Sequence, residues 1–302
     1  MVRLAAIVRG GAEPGRQPPG PMTEPGATLC ERLAALLGPV PTLIGGRAFP
    51  WAPLEALVDE VLDGFERTSA ALWEAMARPA APGVDPLADH HVRTAVLALR
   101  LGRALGYAPA ELRALGVAAC VFDVGRAAGS GPALDRDHPR RSAAIVAAWQ
   151  PPAPTVATVA LQHHERAAGQ GYPAGLRGDA IHPHAAVVGL ADEYTRRIAT
   201  ESPHGVVRAI VRDRAFPAPV VRAFLQAVSV FPPGSLVRLN TGERGRVVDV
   251  NPSHPLRPVV ELLTDARGAP LAAPRRVNLL DAPFRCVSRP DDDRPTRPAA
   301  GP

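Results

Sequence analysis

Apolar residues recur at helical spacing through most of the middle of the chain. In the first such segment Val92, Val96 and Leu99 form one stripe, as a helix packed on a core requires. The longest interruption, Glu165–Ile181, contains four glycines and a proline and is predicted to be a loop. The pattern predicts an all-α bundle, with helices over residues 90–105, 109–121, 139–149, 154–164, 183–199 and 206–229.

The flanking parts of the chain have different patterns. Helical spacing interrupted by Pro41 and Pro50 predicts a few helices before the bundle, and short β-branched runs between turn formers predict a small β domain after it. The two ends are rich in proline and charge and cannot bury an apolar face. We therefore predict a mainly α protein with a helical bundle and a small C-terminal β domain. The predicted divisions are a disordered N-terminus (1–26), a helical N-terminal region (27–83), the bundle domain (84–229), the β domain (230–284) and a disordered tail (285–302).

Charge and cysteine content narrow the class of protein. All 34 basic residues are arginine against 29 acidic residues, so the net charge of +5 is weak support for nucleic-acid binding and no DNA partner is expected. Cys30, Cys120 and Cys286 are odd in number and lack metal-binding spacing, which favours reduced thiols and a cytoplasmic protein. No apolar run approaches the roughly 20 residues of a membrane span.

Histidines and buried acids concentrate in the predicted bundle. Asp123 ends an apolar run and Asp192 lies within another, where an ionised carboxylate is costly unless a cation meets it. Carboxylates and imidazoles facing one another between helices suit divalent metals. Another interpretation stays open, in which Asp123 caps a helix or turn and the histidines lie on the surface. The histidines in question are His90, His91, His138, His163, His164, His182 and His184.

Five segments together resemble one protein family. The sequence is similar to the HD-GYP family of HD phosphohydrolases over about 140 residues, and the matching segments come in the order of that family. The β-rich region after Pro232 also resembles the small C-terminal extension that follows some HD-GYP domains. The matching segments are HHVRTAVLALRLGRALGY from His90, CVFDVGR from Cys120, DHPRRSAAIV from Asp137, QHHERAAGQGYPAGLRGDAI from Gln162 and AAVVGLADEY from Ala185.

The resemblance implies a metal-dependent phosphodiesterase that acts on cyclic di-GMP or a related nucleotide phosphoester. It implies one or two divalent ions, with Fe, Mn and Zn all suited to carboxylate and imidazole ligands. Asp123 and Arg126 would be catalytic, and Gly171, Tyr172 and Pro173 would bind substrate together with Arg126. The implied metal ligands are His90 and Asp192 on one ion, His138, His163 and His164 on or near the other, and Asp123 between them.

The sequence departs from the family at the motif that gives the HD domain its name. Phe122 stands where the family has a histidine, and Arg126 replaces a lysine. The segment between Asp123 and His138 is about a dozen residues shorter than usual. Because both ions act on the reacting phosphate, loss of one ligand predicts reduced or lost activity.

Several alternatives stay open from the sequence. The chain could be a mononuclear hydrolase acting on another phosphoester, or a non-catalytic module that senses cyclic di-GMP or docks on a diguanylate cyclase domain. Helical residues 53–76 could form the seam of a homodimer, although ordinary core packing explains the same pattern.

Overall fold

The predicted fold class is confirmed: helices up to Ala227 precede a small antiparallel sheet that begins at Leu236. The computed structural model describes residues 25–46, 48–77, 83–128, 135–228, 231, 234–251, 254 and 256–291. The helices are α1 (Pro25–Leu37), α2 (Val40–Leu43), α3 (Trp51–Ala77), α4 (Pro86–Ala104), α5 (Pro109–Val121), α6 (His138–Ala148), α7 (Thr155–Gln162), α8 (Pro183–Arg197), α9 (Pro203–Asp213) and α10 (Ala218–Ala227). The strands are β1 (Leu236–Leu239), β2 (Arg244–Asp249), β3 (Val259–Thr264), β4 (Pro270–Asn278) and β5 (Val287–Pro290).

Helix α4 lies at the centre of the bundle and starts next to the candidate site. The side chain of Asp85 accepts a hydrogen bond from the amide of Ala88 at 2.9 Å, and Pro86 occupies the first turn, where an amide hydrogen would have no partner inside the helix. Most of the helix is buried all round because α1, α5, α8 and α10 pack against it. The predicted stripe of Val92, Val96 and Leu99 lies in this core.

Helices α7 and α8 pack closely where the site is formed. Gly189 in the middle of α8 faces the end of α7, and a Cβ atom added there would lie 2.3 Å from the carbonyl oxygen of His163. Only glycine allows this approach. The contact fixes the end of α7 relative to the helix that carries Asp192.

The prediction of a single helix over residues 206–229 is wrong. The structure has α9 and α10 instead, separated by Arg214 in the left-handed conformation (φ 49°) and by Pro217. Proline lacks the amide hydrogen that a helix interior needs and forces the preceding residue out of the helical region. The segment between α9 and α10 also holds the long loop in place. The carbonyl of Ala215 accepts a hydrogen bond from the amide of Ala167 in that loop at 2.8 Å.

The C-terminal sheet has the strand order β4-β3-β2-β1-β5 with antiparallel neighbours. Its buried face comes from alternating apolar residues such as Val237, Val247 and Val260. Strand β5 falls in the segment from residue 285 that was predicted to be a disordered tail, so that prediction is wrong for 287–290. This strand is held by backbone pairing with β1 and has no apolar alternation that would reveal it in the sequence.

Three further predictions concern the chain ends, a membrane span and a dimer seam. Predicted disorder over residues 1–24 and after 291 lies outside the described residues, whereas Pro25 and Gly26 already belong to α1. None of the helices in the described part combines the length and apolar character that crossing a lipid bilayer requires. Helix α3 buries Leu54, Val58 and Val61 inside the protein, and a dimer seam along this helix stays a prediction.

The contact at Gly189 predicts a measurable loss of stability. Gly189→Ala places a methyl group against backbone that cannot move aside, so we expect the free energy of unfolding to fall by about 1–3 kcal/mol. Denaturant unfolding measures this change. Gly38→Ala is the control, because its Cβ would be 3.4 Å from the carbonyl of Ala34, an ordinary contact, and its stability should change by less than about 0.5 kcal/mol. Equal effects of the two substitutions would contradict the close packing of α7 on α8.

Candidate metal centre

The turn after α5 brings Asp123 next to the first residue of α6. Gly125 lies in this turn, and a Cβ atom there would be 2.5 Å from the carbonyl oxygen of His138, so the two segments touch through their backbones. The amide of Gly125 also donates to the hydroxyl of Ser142 at 2.9 Å. As a result the Asp123 carboxylate, which has 0% of its surface exposed, faces the imidazole of His138.

Two more imidazoles come from the end of α7. His163 is the C-terminal cap of this helix, and its Nδ1 lies 2.9 Å from the carbonyl oxygen of Ala160. His138 is oriented in the same way, with Nδ1 2.5 Å from the carbonyl oxygen of Asp135. A carbonyl oxygen only accepts, so both Nδ1 atoms carry the proton and both Nε2 atoms keep a lone pair for a metal.

The Nε2 atoms of the three histidines converge. His138 Nε2 lies 3.3 Å from His163 Nε2 and 3.0 Å from His164 Nε2, and 3.1 Å from Oδ1 of Asp123. Lone pairs that face one another at such distances repel unless a cation lies among them. Oδ1 of Asp123 is buried and accepts no hydrogen bond from the described residues. We call His138, His163 and His164 the histidine triad; its three ligand atoms lie within 4.8 Å of one another and suit a divalent metal ion. Asp123 adjoins the triad through His138 and His163.

Burial keeps these imidazoles in the neutral form that binds metals. It lowers the pKa of His138 to about 4 and that of His163 to about 3, and it also lowers the pKa of His164. Burial and the charge of Asp192 raise the pKa of Asp123 to about 7, against the opposing effect of the nearby cationic groups. A buried carboxylate whose pKa is raised in this way gains most from a bound cation.

A second cluster shares Asp123 with the first. His90 from α4 and Asp192 from α8 join it, with the ligand atoms of all three residues within 4.8 Å of one another; we call this cluster the carboxylate triad. His90 Nε2 lies 2.9 Å from Oδ1 of Asp192. Two arginines also reach the cluster: Arg126 contacts Oδ2 of Asp123, and Arg196 contacts Oδ1 of Asp192.

Burial opposes ionisation of Asp192, but the hydrogen bond from His90 and the charge of Arg196 outweigh it. They hold the pKa of this carboxyl well below its usual range. Asp192 is therefore an anion at neutral pH, and its partners in the described part of the chain are an imidazole and a guanidinium group.

Phe122 lies against both clusters. Its side chain is completely buried, and its ring centroid is 4.8 Å from that of His163, 5.2 Å from that of His91 and 5.9 Å from that of His90. An aromatic carbon ring offers no ligand atom to a divalent ion. Phe122 thus fills, with apolar atoms, a position at which an imidazole could otherwise reach the carboxylate triad.

The long glycine-rich loop is tied to the histidine triad. The buried carboxylate of Glu165 accepts hydrogen bonds from the amides of Ala174 at 2.7 Å and Leu176 at 2.9 Å. A Cβ atom at Gly171 would be 2.4 Å from backbone atoms of residues 165 and 166, so the loop folds back on itself there. Tyr172 follows, and its ring stacks on that of His164 with centroids 4.5 Å apart.

A cavity of about 530 Å³ opens beside the carboxylate triad. Its volume lies within the range of about 300–1,000 Å³ that is usual for small-molecule sites. Two guanidinium groups face a space bordered by one imidazole and two acidic residues, and guanidinium groups suit the oxygens of a phosphate ester. The lining residues that carry charge or an imidazole are Asp85, His90, Asp123, Arg126 and Arg196.

Family models match two parts of the chain. Residues 132–209 match a model described as an HD domain, and residues 236–298 match a model described as a KOW domain associated with an HD domain. The first match contains the histidine triad and Asp192, but it begins after Asp123. The second confirms the resemblance of the C-terminal β region to an extension that accompanies HD domains.

Two known proteins are similar over longer stretches. The cyclic di-GMP phosphodiesterase PA4108 of Pseudomonas aeruginosa is 29% identical over 263 residues, which cover 80% of this chain and 63% of that protein. The solved structure of Bd1817, an HD-GYP-type protein of Bdellovibrio bacteriovorus, superposes with a TM-score of 0.55 at 19% identity, covering 67% of this chain and 72% of that one. The chain therefore has the fold of HD-GYP proteins.

The structure brings all six predicted metal ligands into two adjoining clusters. Arg126, predicted to be catalytic and to bind substrate, contacts Asp123, and the loop of Gly171, Tyr172 and Pro173 adjoins the histidine triad. Three histidines of the bundle lie outside the two clusters. His182 and His184 line a separate cavity of about 460 Å³ with Tyr107 and Glu111. The Nε2 atom of the buried His91 has no hydrogen-bond partner among the described residues.

Arg196 and Arg136 also belong to this site but were not predicted from the sequence. Arg196 is four residues after Asp192 on α8, a spacing that places two side chains on one helix face and could have indicated the contact. Arg136 places its guanidinium carbon 4.8 Å from the ring centroid of Tyr172. That contact depends on how the loop folds, and no spacing in the sequence indicates it.

The position of Asp123 between the clusters predicts that metal binding depends on it. Asp123→Asn keeps the shape but removes the charge, so the affinity for Mn²⁺ should fall at least about tenfold. The free energy of unfolding of the metal-free protein should change much less, because burial already disfavours the ionised carboxyl.

Isothermal titration with Mn²⁺ and denaturant unfolding of the same preparations measure the two effects. Asp59→Asn is the control, since Asp59 is exposed and pairs with Arg113 far from both clusters. An Asp123→Asn variant that binds Mn²⁺ as the parent does would show that the ion does not use this carboxylate.

Proposed function

We propose that the chain is a metal-dependent phosphodiesterase that opens cyclic di-GMP, with turnover reduced by the replacement at Phe122. The observation that carries this proposal is the convergence of three imidazole Nε2 atoms, one of them 3.1 Å from a buried carboxylate at the edge of a cavity lined with arginine. The similarity to a protein named as a cyclic di-GMP phosphodiesterase supports the choice of substrate.

The metal is held by the histidine triad and Asp123 in this proposal. A bound divalent ion activates water at neutral pH and neutralises charge that develops on the phosphate oxygens. Imidazole and carboxylate ligands suit Fe, Mn and Zn. The carbonyl oxygens of Asp135 and Ala160 keep two of the imidazoles in the tautomer that exposes Nε2, which orients the ligands before any ion binds.

The arginines of the cavity bind the phosphate. Arg126 and Arg196 are fixed near the two buried carboxylates, and their remaining N–H groups line the cavity. A guanidinium group retains its charge at all relevant pH values and donates several hydrogen bonds in one plane, which suits phosphate oxygens. These groups would hold a phosphodiester next to the histidine triad.

Tyr172 and Arg136 provide a contact for the base. The tyrosine ring is half-buried against His164, and the exposed guanidinium group of Arg136 lies over it. Guanine presents two acceptor atoms on one edge, N7 and O6, and arginine commonly donates to both. An aromatic ring beside an arginine is therefore suited to a guanine base of the dinucleotide.

Turnover of cyclic di-GMP tests the function directly. We expect the Mn²⁺-loaded or Fe²⁺-loaded protein to convert cyclic di-GMP to the linear dinucleotide or GMP, measured by chromatography of the products. Asp123→Asn should lower the rate by on the order of 10³-fold or more, because the catalytic groups act as a unit. Asp59→Asn, with its exposed position, should retain the parent rate. A parent protein that binds metal but converts no cyclic di-GMP would contradict the proposal.

Specific base recognition gives a second prediction for this site. Tyr172→Ala should raise KM for cyclic di-GMP about fivefold to 150-fold, the value of one base–aromatic stack. It should have little effect on bis(p-nitrophenyl) phosphate, which has no base to stack. Steady-state kinetics with both substrates provide the comparison, and Tyr172→Phe should behave like the parent. Equal losses on both substrates would mean that Tyr172 supports the histidine triad and does not recognise the base.

A non-catalytic sensor is the second candidate function. Phe122 and the two arginines on the carboxylate triad favour it, because both features remove ligand capacity from one half of the centre. Binding of cyclic di-GMP without product formation, measured on the same preparations, would select this function. Docking on a diguanylate cyclase domain stays a prediction from the sequence.

A further inference from the structure

The carboxylate triad already contains two fixed positive charges. Arg126 contacts Asp123 through Nε, and Arg196 contacts Asp192 through Nη2. Asp123 and Asp192 contribute two negative charges when ionised, and the two guanidinium groups contribute two positive charges, the same charge as one divalent ion. A second divalent ion would therefore add an excess of positive charge beside two buried carboxylates.

Arg196 reaches the carboxylate triad from the side of the cavity. Its side chain is 41% exposed and lines the cavity, whereas Asp192 is 1% exposed. The Oδ1 atom that Arg196 contacts is the same atom that lies 2.9 Å from Nε2 of His90. A metal ion placed between His90 Nε2 and the Asp192 oxygen nearest to it would therefore meet Arg196 at the same ligand atom.

The carboxylate triad is also poor in ligands. Besides the two carboxylates it has a single imidazole, that of His90, and the ring of Phe122 occupies the adjoining space. The histidine triad has three imidazoles. The oxygen of Asp123 that faces it, Oδ1, accepts no hydrogen bond from the described residues, and Arg126 contacts the other oxygen, Oδ2.

We infer that the chain binds one divalent ion, in the histidine triad with Asp123, and that the guanidinium group of Arg196 takes the place of a second ion beside Asp192. This inference rests on the proposed metal-dependent function and assigns a positioning role to Arg196. In this arrangement the cation beside Asp192 belongs to the protein and stays bound when metal is removed. Arg196 is then available to neutralise a phosphate oxygen from the side opposite the histidine triad.

Metal stoichiometry tests the inference without any turnover. Parent, Phe122→His, Arg196→Gln and the double variant are reconstituted with excess Mn²⁺, desalted and measured by elemental analysis. Circular dichroism and thermal unfolding establish that each variant is folded. Glutamine keeps much of the length of arginine without its charge. Arg197→Gln is the matched control, because Arg197 pairs with Glu193 and Glu201 and not with Asp192.

We expect one ion per chain in the parent, in the control and in Phe122→His, since adding an imidazole leaves Arg196 in place. The double variant should bind two. Two ions in the parent or in Phe122→His would overturn the inference, as would a folded double variant that still binds one. Should the double variant not fold, Phe122→His decides alone: one ion supports the inference and two contradict it.

A chain that binds one ion but converts no cyclic di-GMP would support this inference while contradicting the proposed function. A chain with two ions that converts cyclic di-GMP at a reduced rate would do the reverse. The two claims can therefore fail separately.

Discussion

The buried carboxylate of Asp123 is the constraint on which the rest of the site depends. It has no exposed surface, its pKa is raised to about 7, and one of its oxygens faces imidazole nitrogens that have no proton to donate. Such a group is costly to bury unless a cation meets it. The protein provides one cation on one side, through Arg126, and a set of metal ligands on the other. The chemistry that we propose follows from this placement.

The helices bring four short segments together at the candidate metal centre. The turn after α5 supplies Asp123, the start of α6 supplies His138, the end of α7 supplies His163 and His164, and α8 supplies Asp192. Helix ends are suited to this task because their backbone groups lack partners inside the helix and can orient side chains, as the carbonyl of Ala160 does for His163. Gly125 and Gly189 allow the backbones to approach closely enough for the side chains to meet.

Much of this could be predicted from the sequence, for physical reasons that also explain what could not. The periodic stripe of α4 and the apolar runs around Asp123 and Asp192 are local signals of burial, and these residues are buried in the structure. Strand β5 was missed because it depends on pairing with a distant strand. The break before α10 was also missed, although Pro217 marks it in the sequence. Arg196 was missed because an arginine on a helix usually faces water. Its role appears only when the carboxylate it contacts is known to be buried.

Anomalous diffraction from crystals of the protein grown with Mn²⁺ or Fe²⁺ locates the bound ions directly. We expect one strong peak per chain, about 2.0–2.2 Å from the Nε2 atoms of the histidine triad and from an oxygen of Asp123, with the guanidinium group of Arg196 on Asp192. A peak of equal strength between His90 and Asp192, with Arg196 displaced, would contradict this expectation. The absence of any peak at the histidine triad would contradict the metal centre itself.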